Sequence, residues 1–179
     1  MKVVTNGVKW CILDLYHVEV QPPSRRGDTL PMLIGSFAHA LDAKGRVFIP
    51  AKWRESLGDI LVITQGLLAD RELHCLFGMS VAEWDQFSQR LAQLPITDMA
   101  GQAVRRRLYA SASACELDKQ GRILLPQPLR ELTGIEKEVT LIGVGNRIEL
   151  WEPGQLLRHS AAVEEDYSAA LQHLSQVGI

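Results

Sequence analysis

An α+β fold built from two copies of one unit, each a β-hairpin, a short helix and a second β-hairpin, is what this 179-residue sequence predicts. Three observations carry that expectation. The phrase Leu41-Asp42-Ala43-Lys44-Gly45-Arg46 returns 76 residues later as Leu117-Asp118-Lys119-Gln120-Gly121-Arg122. The match continues at one offset through Pro50/Pro126, Arg54/Arg130, Glu55/Glu131 and Gly58/Gly134, which marks an internal duplication. Apolar, β-branched runs then follow each copy, Ile60-Leu61-Val62-Ile63 and Val139-Thr140-Leu141-Ile142. A unit of about 40 residues is marginal as a lone core, so the two copies should pack on each other or on neighbouring chains.

The elements follow in chain order. Residues 1–31, with Pro22, Pro23 and Arg25-Arg26-Gly27-Asp28, read as a poorly structured linker. Alternation over Phe37 to Leu41 and Val47 to Ile49 predicts two short strands joined by Asp42-Ala43-Lys44-Gly45. Asp42 can accept backbone N–H bonds within the turn, and Gly45 supplies the positive φ that a tight turn asks for. Pro50 suits the first helical position, so Pro50 to Leu57 reads as a helix closed by Gly58, and Pro126 to Gly134 repeats it. Further strands are expected at Leu73 to Phe77 and Arg147 to Trp151. Between the copies, Ser80-Val81-Ala82-Glu83 is a capping-box signature, and Trp84, Phe87, Leu91 and Leu94 form one stripe before Pro95. A second helix is expected from about Thr97 to Tyr109. Beyond Pro153 and Gly154, Leu156, Val163, Tyr167, Leu171 and Leu174 predict a final amphipathic helix.

Composition narrows the class. Cys11, Cys75 and Cys115 form no CxxC pair, so neither a disulfide framework nor a zinc site is expected, and a reducing cytoplasm is the simplest setting. No apolar run reaches the roughly 18 to 20 residues of a membrane span, and the charged N-terminus does not read as a signal peptide. No convergent acid, base, nucleophile, metal or cofactor set is present, so no enzyme, metal or cofactor is expected. His74-Cys75 is read as strand filler. Gly143-Val144-Gly145 precedes a β-turn rather than a helix, so it is no dinucleotide fingerprint. Glu164-Glu165-Asp166 is read as a solvated helix face.

Net charge is −2, yet its distribution is uneven. Residues 32–58 carry four basic and two acidic side chains, whereas 59–103 carry two basic and six acidic. Arg105, Arg106 and Arg107 form a second basic point. Polyanion contact would therefore centre on the first repeat and on that triplet.

These residues resemble the MraZ family of bacterial transcriptional regulators, whose members carry two SpoVT-AbrB type half-domains. The similarity rests on Gly35-Ser36-Phe37, the Asp42/Arg46 and Asp118/Arg122 turns, Ile49-Pro50-Ala51-Lys52-Trp53-Arg54, Arg105 to Tyr109, Ala114 to Asp118 and Leu141 to Trp151. It runs from Met32 to about Pro153. The resemblance implies an AbrB/MraZ-like swapped-hairpin β-barrel with flanking helices and ring-like homo-oligomers, and the lack of a long apolar run adds the expectation of no membrane association. It also implies a cytoplasmic, nucleoid-associated repressor that binds double-stranded promoter repeats ahead of the division and cell-wall gene cluster, including its own gene. The corresponding organisation is a non-family extension and strand lead-in over 1–35, a first SpoVT-AbrB domain over 36–83, a helical connection over 84–111, a second domain over 112–155 and a C-terminal amphipathic helix over 156–179. Nothing in residues 1–31 matches the family, and Met32 is the expected natural start.

Arg46 is the sharpest candidate for DNA contact, through phosphate or a guanine edge, and the competing reading is an Asp42–Arg46 pair that only fixes the turn. Both can hold together, because an arginine held by its own aspartate is preorganised for a bidentate contact. Arg122 holds the equivalent place beside Glu116 and Asp118. Lys44, Lys52, Arg54 and Lys119 are candidate phosphate contacts, and Asp42, Gly45, Asp118 and Gly121 are expected to build the turns. The arginine triplet serves as a phosphate clamp or a subunit interface; successive helical positions diverge by about 100°, so no more than two would face one ligand. An AbrB-fold module that binds another polypeptide, as antitoxins do, is the alternative to a DNA reader.

Overall fold

The computed structural model describes residues 32–68, 72–165 and 167–176. Its elements run β1 (Leu33–Ala40), β2 (Arg46–Phe48), α1 (Ala51–Leu57), β3 (Ile60–Gln65), β4 (Leu76–Ser80), α2 (Val81–Ala92), α3 (Met99–Ser111), β5 (Ser113–Glu116), β6 (Arg122–Leu124), α4 (Gln127–Thr133), β7 (Glu138–Gly145), β8 (Ile148–Trp151), α5 (Pro153–Glu165) and α6 (Tyr167–Gln176). The mixed α+β class and the duplicated order of elements are as the sequence predicts. The expected linker over 1–31 lies outside the described residues, as does Cys11.

The pairing of the first strands departs from expectation. The strands flanking each Asp-Gly turn do not form a local hairpin; they pair across the repeats. All ladders are antiparallel, in a six-stranded sheet of order β1-β7-β8-β4-β3-β5 and a two-stranded ribbon of β2 and β6. Strand β1 of the first repeat pairs with β7 of the second, and β5 of the second with β3 of the first. Among the described residues only the later hairpins, β3 with β4 and β7 with β8, close within one repeat. The ribbon is centred on Val47 opposite Ile123, with Arg46 opposite Leu124 and Phe48 opposite Arg122, so exchanging the repeats maps it onto itself. The physical reason is burial. Val47 and Ile123 are each fully buried, and meeting across the repeats lets both leave water against one another.

Among the described residues the strands form these two sheets and not one closed barrel. Each ribbon strand reaches a proline two residues on, Pro50 or Pro126, which has no N–H to carry the ladder further. Main-chain bonds instead fasten the ribbon at its ends: Ile49 N–H donates to Gly121 O at 2.9 Å and Leu125 N–H to Gly45 O at 3.0 Å.

One core serves both repeats. Val47, Ile49, Trp53, Leu61 and Ile63 from the first are buried in the same cluster as Ile123, Leu125, Leu129, Val139 and Leu141 from the second. Trp53 anchors the first corner, its ring edge-on to Phe37 at 4.9 Å and its Nε1–H donating to Ile34 O at 3.2 Å. At Gly143 the backbone of Leu33 and Ile34 comes so close that a Cβ would strike it, so a side chain there would force β1 from β7. A smaller cluster of Cys75, Phe77, Met79 and Trp151 packs beneath Trp84 and Phe87 of α2.

Local details revise several expected boundaries. Pro50 and Pro126 are the N-caps of α1 and α4, with extended ψ of 130° and 137°, and not first helical residues. Strand β4 starts at Leu76, so His74 and Cys75 precede it; His74 N–H donates to Gln155 Oε1 at 2.7 Å. Ser80 caps α2 by accepting from Glu83 N–H at 3.2 Å, while the Glu83 carboxylate takes Asn146 Nδ2 at 2.8 Å. Asp98 caps α3, which begins at Met99. The C-terminal helix begins earlier than expected, at Pro153.

Candidate nucleic-acid interface

Both turns form by the same local chemistry. Asp42 Oδ1 accepts Lys44 N–H at 2.9 Å and Arg46 N–H at 3.0 Å, while Asp118 Oδ1 accepts Gln120 N–H and Arg122 N–H, each at 2.9 Å. Gly45 and Gly121 take φ of 78° and 79°, where an L side chain is strained. Each aspartate then uses its second oxygen on the arginine four residues on. Arg46 Nε and Nη2 both reach Asp42 Oδ2 at 2.7 Å, and Arg122 Nε and Nη2 reach Asp118 Oδ2 at 2.9 and 2.7 Å.

The cross-repeat ribbon brings the two pairs together. Arg122 Nη1 lies 3.4 Å from Asp42 Oδ2 and Arg46 Nη1 lies 3.8 Å from Asp118 Oδ2. Two aspartates and two arginines, 76 residues apart in chain, therefore make one four-membered charge cluster. The Arg46 guanidinium and the backbone N–H groups beside Asp42 hold its carboxyl down at about 2, from an ordinary 3.8. Arg122 likewise lowers Asp118. Each guanidinium thus spends Nε and Nη2 on its own aspartate and turns Nη1 toward the aspartate of the other repeat, which fixes the plane of both groups.

Period-two alternation gives the ribbon two unlike faces. Val47 and Ile123 point into the core; Arg46, Phe48, Arg122 and Leu124 share the outer face. Phe48 is 43% and Leu124 54% exposed, so this face is both cationic and apolar. The Arg122 guanidinium lies over the Phe48 ring, 5.7 Å from its centroid. Lys44 and Lys119 are exposed on the two turns at its ends.

The other candidates fall elsewhere. Lys52 is exposed with its Nζ 4.7 Å above the Phe37 ring. Arg54 donates from Nε to Ile49 O at 2.9 Å, and its guanidinium occupies the space a Cβ on Gly121 would need. Arg130 mirrors it, donating to Leu125 O at 3.2 Å and lying 3.0 Å from where a Gly45 Cβ would be. Each of these arginines thus clamps the turn of the opposite repeat. Sequence reasoning missed Arg130, Phe48 and Leu124, although their equivalence across the 76-residue offset was available as a signal.

The arginine triplet is divided. Arg105 stacks near Tyr109 at 5.7 Å, Arg107 donates to Gln65 Oε1 at 2.7 Å, and Arg106 is exposed. Burial pushes the Cys75 thiol up to about 12, which leaves it inert as a nucleophile near neutral pH. Gly143 to Gly145 ends β7, and a turn to β8 follows. Among the described residues no helix is long and apolar enough to cross a membrane.

The family described as "MraZ protein, putative antitoxin-like" matches twice, over residues 32–107 and 108–176. A protein of Caldicellulosiruptor bescii named transcriptional regulator MraZ is 41% identical over 148 residues, which is 83% of this chain and all of that one. Proteins of the same name from Desulfitobacterium hafniense and Carboxydothermus hydrogenoformans are 39% identical over 148 residues and 46% identical over 120 residues. They are covered over 100% and 80% of their lengths, by 83% and 67% of this chain. The solution structure of PHS018 from Pyrococcus horikoshii aligns at 15% identity over 68% of this chain and 96% of that one, with a TM-score of 0.30, too low to bear on the fold.

Proposed function

The chain belongs to the MraZ family, and from that premise we propose that it is a sequence-specific DNA-binding transcriptional regulator that presents the outer face of the β2–β6 ribbon to duplex DNA. The observation that carries the reading is the four-membered cluster, which holds Arg46 and Arg122 side by side on an exposed two-stranded ribbon. A ribbon of this width enters a major groove of about 12 Å, and an arginine addresses guanine O6 and N7 with two parallel N–H bonds. Lys44 and Lys119 then meet phosphates, which position the ribbon without reading sequence.

One such face contributes few contacts, and a net charge of −2 limits the gain from counterion release. Several subunits on spaced repeats raise affinity by about 10²- to 10⁴-fold with no new kind of contact. The proposal therefore includes a ring-like homo-oligomer, repression of the division and cell-wall cluster with its own gene, residence with the nucleoid, and the swapped-hairpin barrel as the assembled form. Footprinting on the DNA upstream of the chain's own gene tests it. Regularly spaced protected repeats, with binding that weakens steeply as salt rises, are the expected result.

The antitoxin-like wording of the matched family supports a second reading, in which the same face binds a polypeptide. Binding to duplex DNA that is absent or insensitive to salt would favour it, because a protein partner releases no comparable counterions.

A further inference from the structure

The proposed DNA reading accounts for the arginines of the ribbon and leaves unexplained why its outer face also exposes Phe48 and Leu124. Large apolar residues at adjoining places on a solvent-facing ribbon cost solubility and call for an occupant. Their register is specific: Leu124 stands directly opposite Arg46, and Phe48 directly opposite Arg122. Each arginine is therefore paired across the ribbon with one apolar side chain, and the repeat symmetry generates the pair twice. The surrounding charge selects the occupant, since two guanidinium groups and the turn lysines Lys44 and Lys119 border the apolar spots.

In the major groove the one apolar group on any base edge is the 5-methyl of thymine. Resting on the reading of this face as a DNA interface, we infer that Phe48 and Leu124 are specificity-determining residues that pack on thymine methyl groups beside the bases addressed by Arg122 and Arg46. The ribbon thus reads two composite steps, each one guanidinium contact and one methyl contact. The larger, flatter Phe48 ring covers more of its methyl than the Leu124 side chain does. Both residues lie on the outer face while Val47 and Ile123 fill the core, so truncating them leaves the core beneath the ribbon in place.

Replacing every thymine by uracil removes these methyl groups and keeps all hydrogen-bonding edges. The upstream DNA of the chain's own gene, amplified with either dTTP or dUTP, supplies the two probes for mobility-shift titration with the full chain. Wild type should bind the uracil duplex more weakly, by about fourfold for each thymine methyl that Phe48 or Leu124 would otherwise cover. The double variant Phe48→Ala/Leu124→Ala should bind both duplexes equally, with the oligomeric mass of wild type. Equal binding of both duplexes by wild type overturns the methyl reading and leaves the arginine reading intact. Discrimination that persists in the double variant also overturns it, because DNA shape or another residue would then sense the substitution. A changed oligomeric mass in the variant would mark the face as a subunit contact and overturn it as well. Failure of wild type to bind either duplex removes the DNA interface itself, and the inference with it.

Discussion

The two Asp-x-x-Gly-Arg turns share sequence, backbone and hydrogen bonding, yet their arginines are not equally free. The Arg46 side chain is 30% exposed and that of Arg122 is 15%. The difference lies across the ribbon. Arg122 faces the aromatic ring of Phe48, whose face holds the guanidinium, whereas Arg46 faces the smaller Leu124. Arg122 also comes nearer to the other repeat's aspartate, 3.4 Å against 3.8 Å. A duplicated phrase therefore fixes a common scaffold, and the residue opposite decides how much of each arginine remains available.

Four measurements would break or sharpen that contrast. The largest effect is expected from Arg46→Ala, which should lower affinity for the promoter by roughly 100-fold or more. Arg122→Ala should cost about tenfold, with the oligomer intact in both; a bidentate base contact is worth about 1–3 kcal/mol at each site. Equal losses in a mobility-shift titration would dissolve the distinction. Next come the turn glycines. Gly45→Ala should destabilise by about 1–2 kcal/mol through backbone strain, and Gly121→Ala by about 2–3 kcal/mol, because its Cβ also displaces the Arg54 guanidinium. Urea unfolding that ranks them the other way would show that Arg54 yields without cost.

Acid should weaken the cluster through Asp42. The Asp42 carboxyl is depressed in the folded chain, so its stabilising contribution is complete above the ordinary value of 3.8 and is lost as pH falls toward about 2. Urea midpoints measured between pH 5 and pH 2 should therefore fall less steeply for Asp42→Asn than for wild type. A slope unchanged by the substitution would show that the cluster adds nothing to acid stability. The smallest effect is expected from Lys44→Gln, which should lower the salt slope of DNA binding by about one for each engaged subunit and leave sequence preference unaltered. A changed preference would move Lys44 from phosphate to base edge.

Much of this architecture was legible in the chain. The repeat set the order of elements, proline and glycine bracketed α1 and α4, and alternation marked the strands on either side of the first turn. What alternation does not encode is the identity of a strand's partner. A strand's alternation carries a face and no address, so the exchange of β1, β2, β5 and β6 between repeats was hidden from local pattern. The same limit applies at the site. Arg54 reads as a free cation on a helix, and only the cross-repeat packing turns it toward Gly121. Arg46 emerged from segment charge, while its greater freedom comes from Leu124, whose position opposite it depends on that pairing.

The exchange of strands also bears on how the chain is made. Strands β1 and β2 emerge from the ribosome well before β7 and β6, which lie more than 70 residues downstream. At about 5–20 residues per second that interval is roughly 4 to 20 s. During it, the nascent first half holds edges that match either its own unmade second half or another nascent chain on the same message. Slower translation lengthens the time for which those edges wait for the strands that cover them.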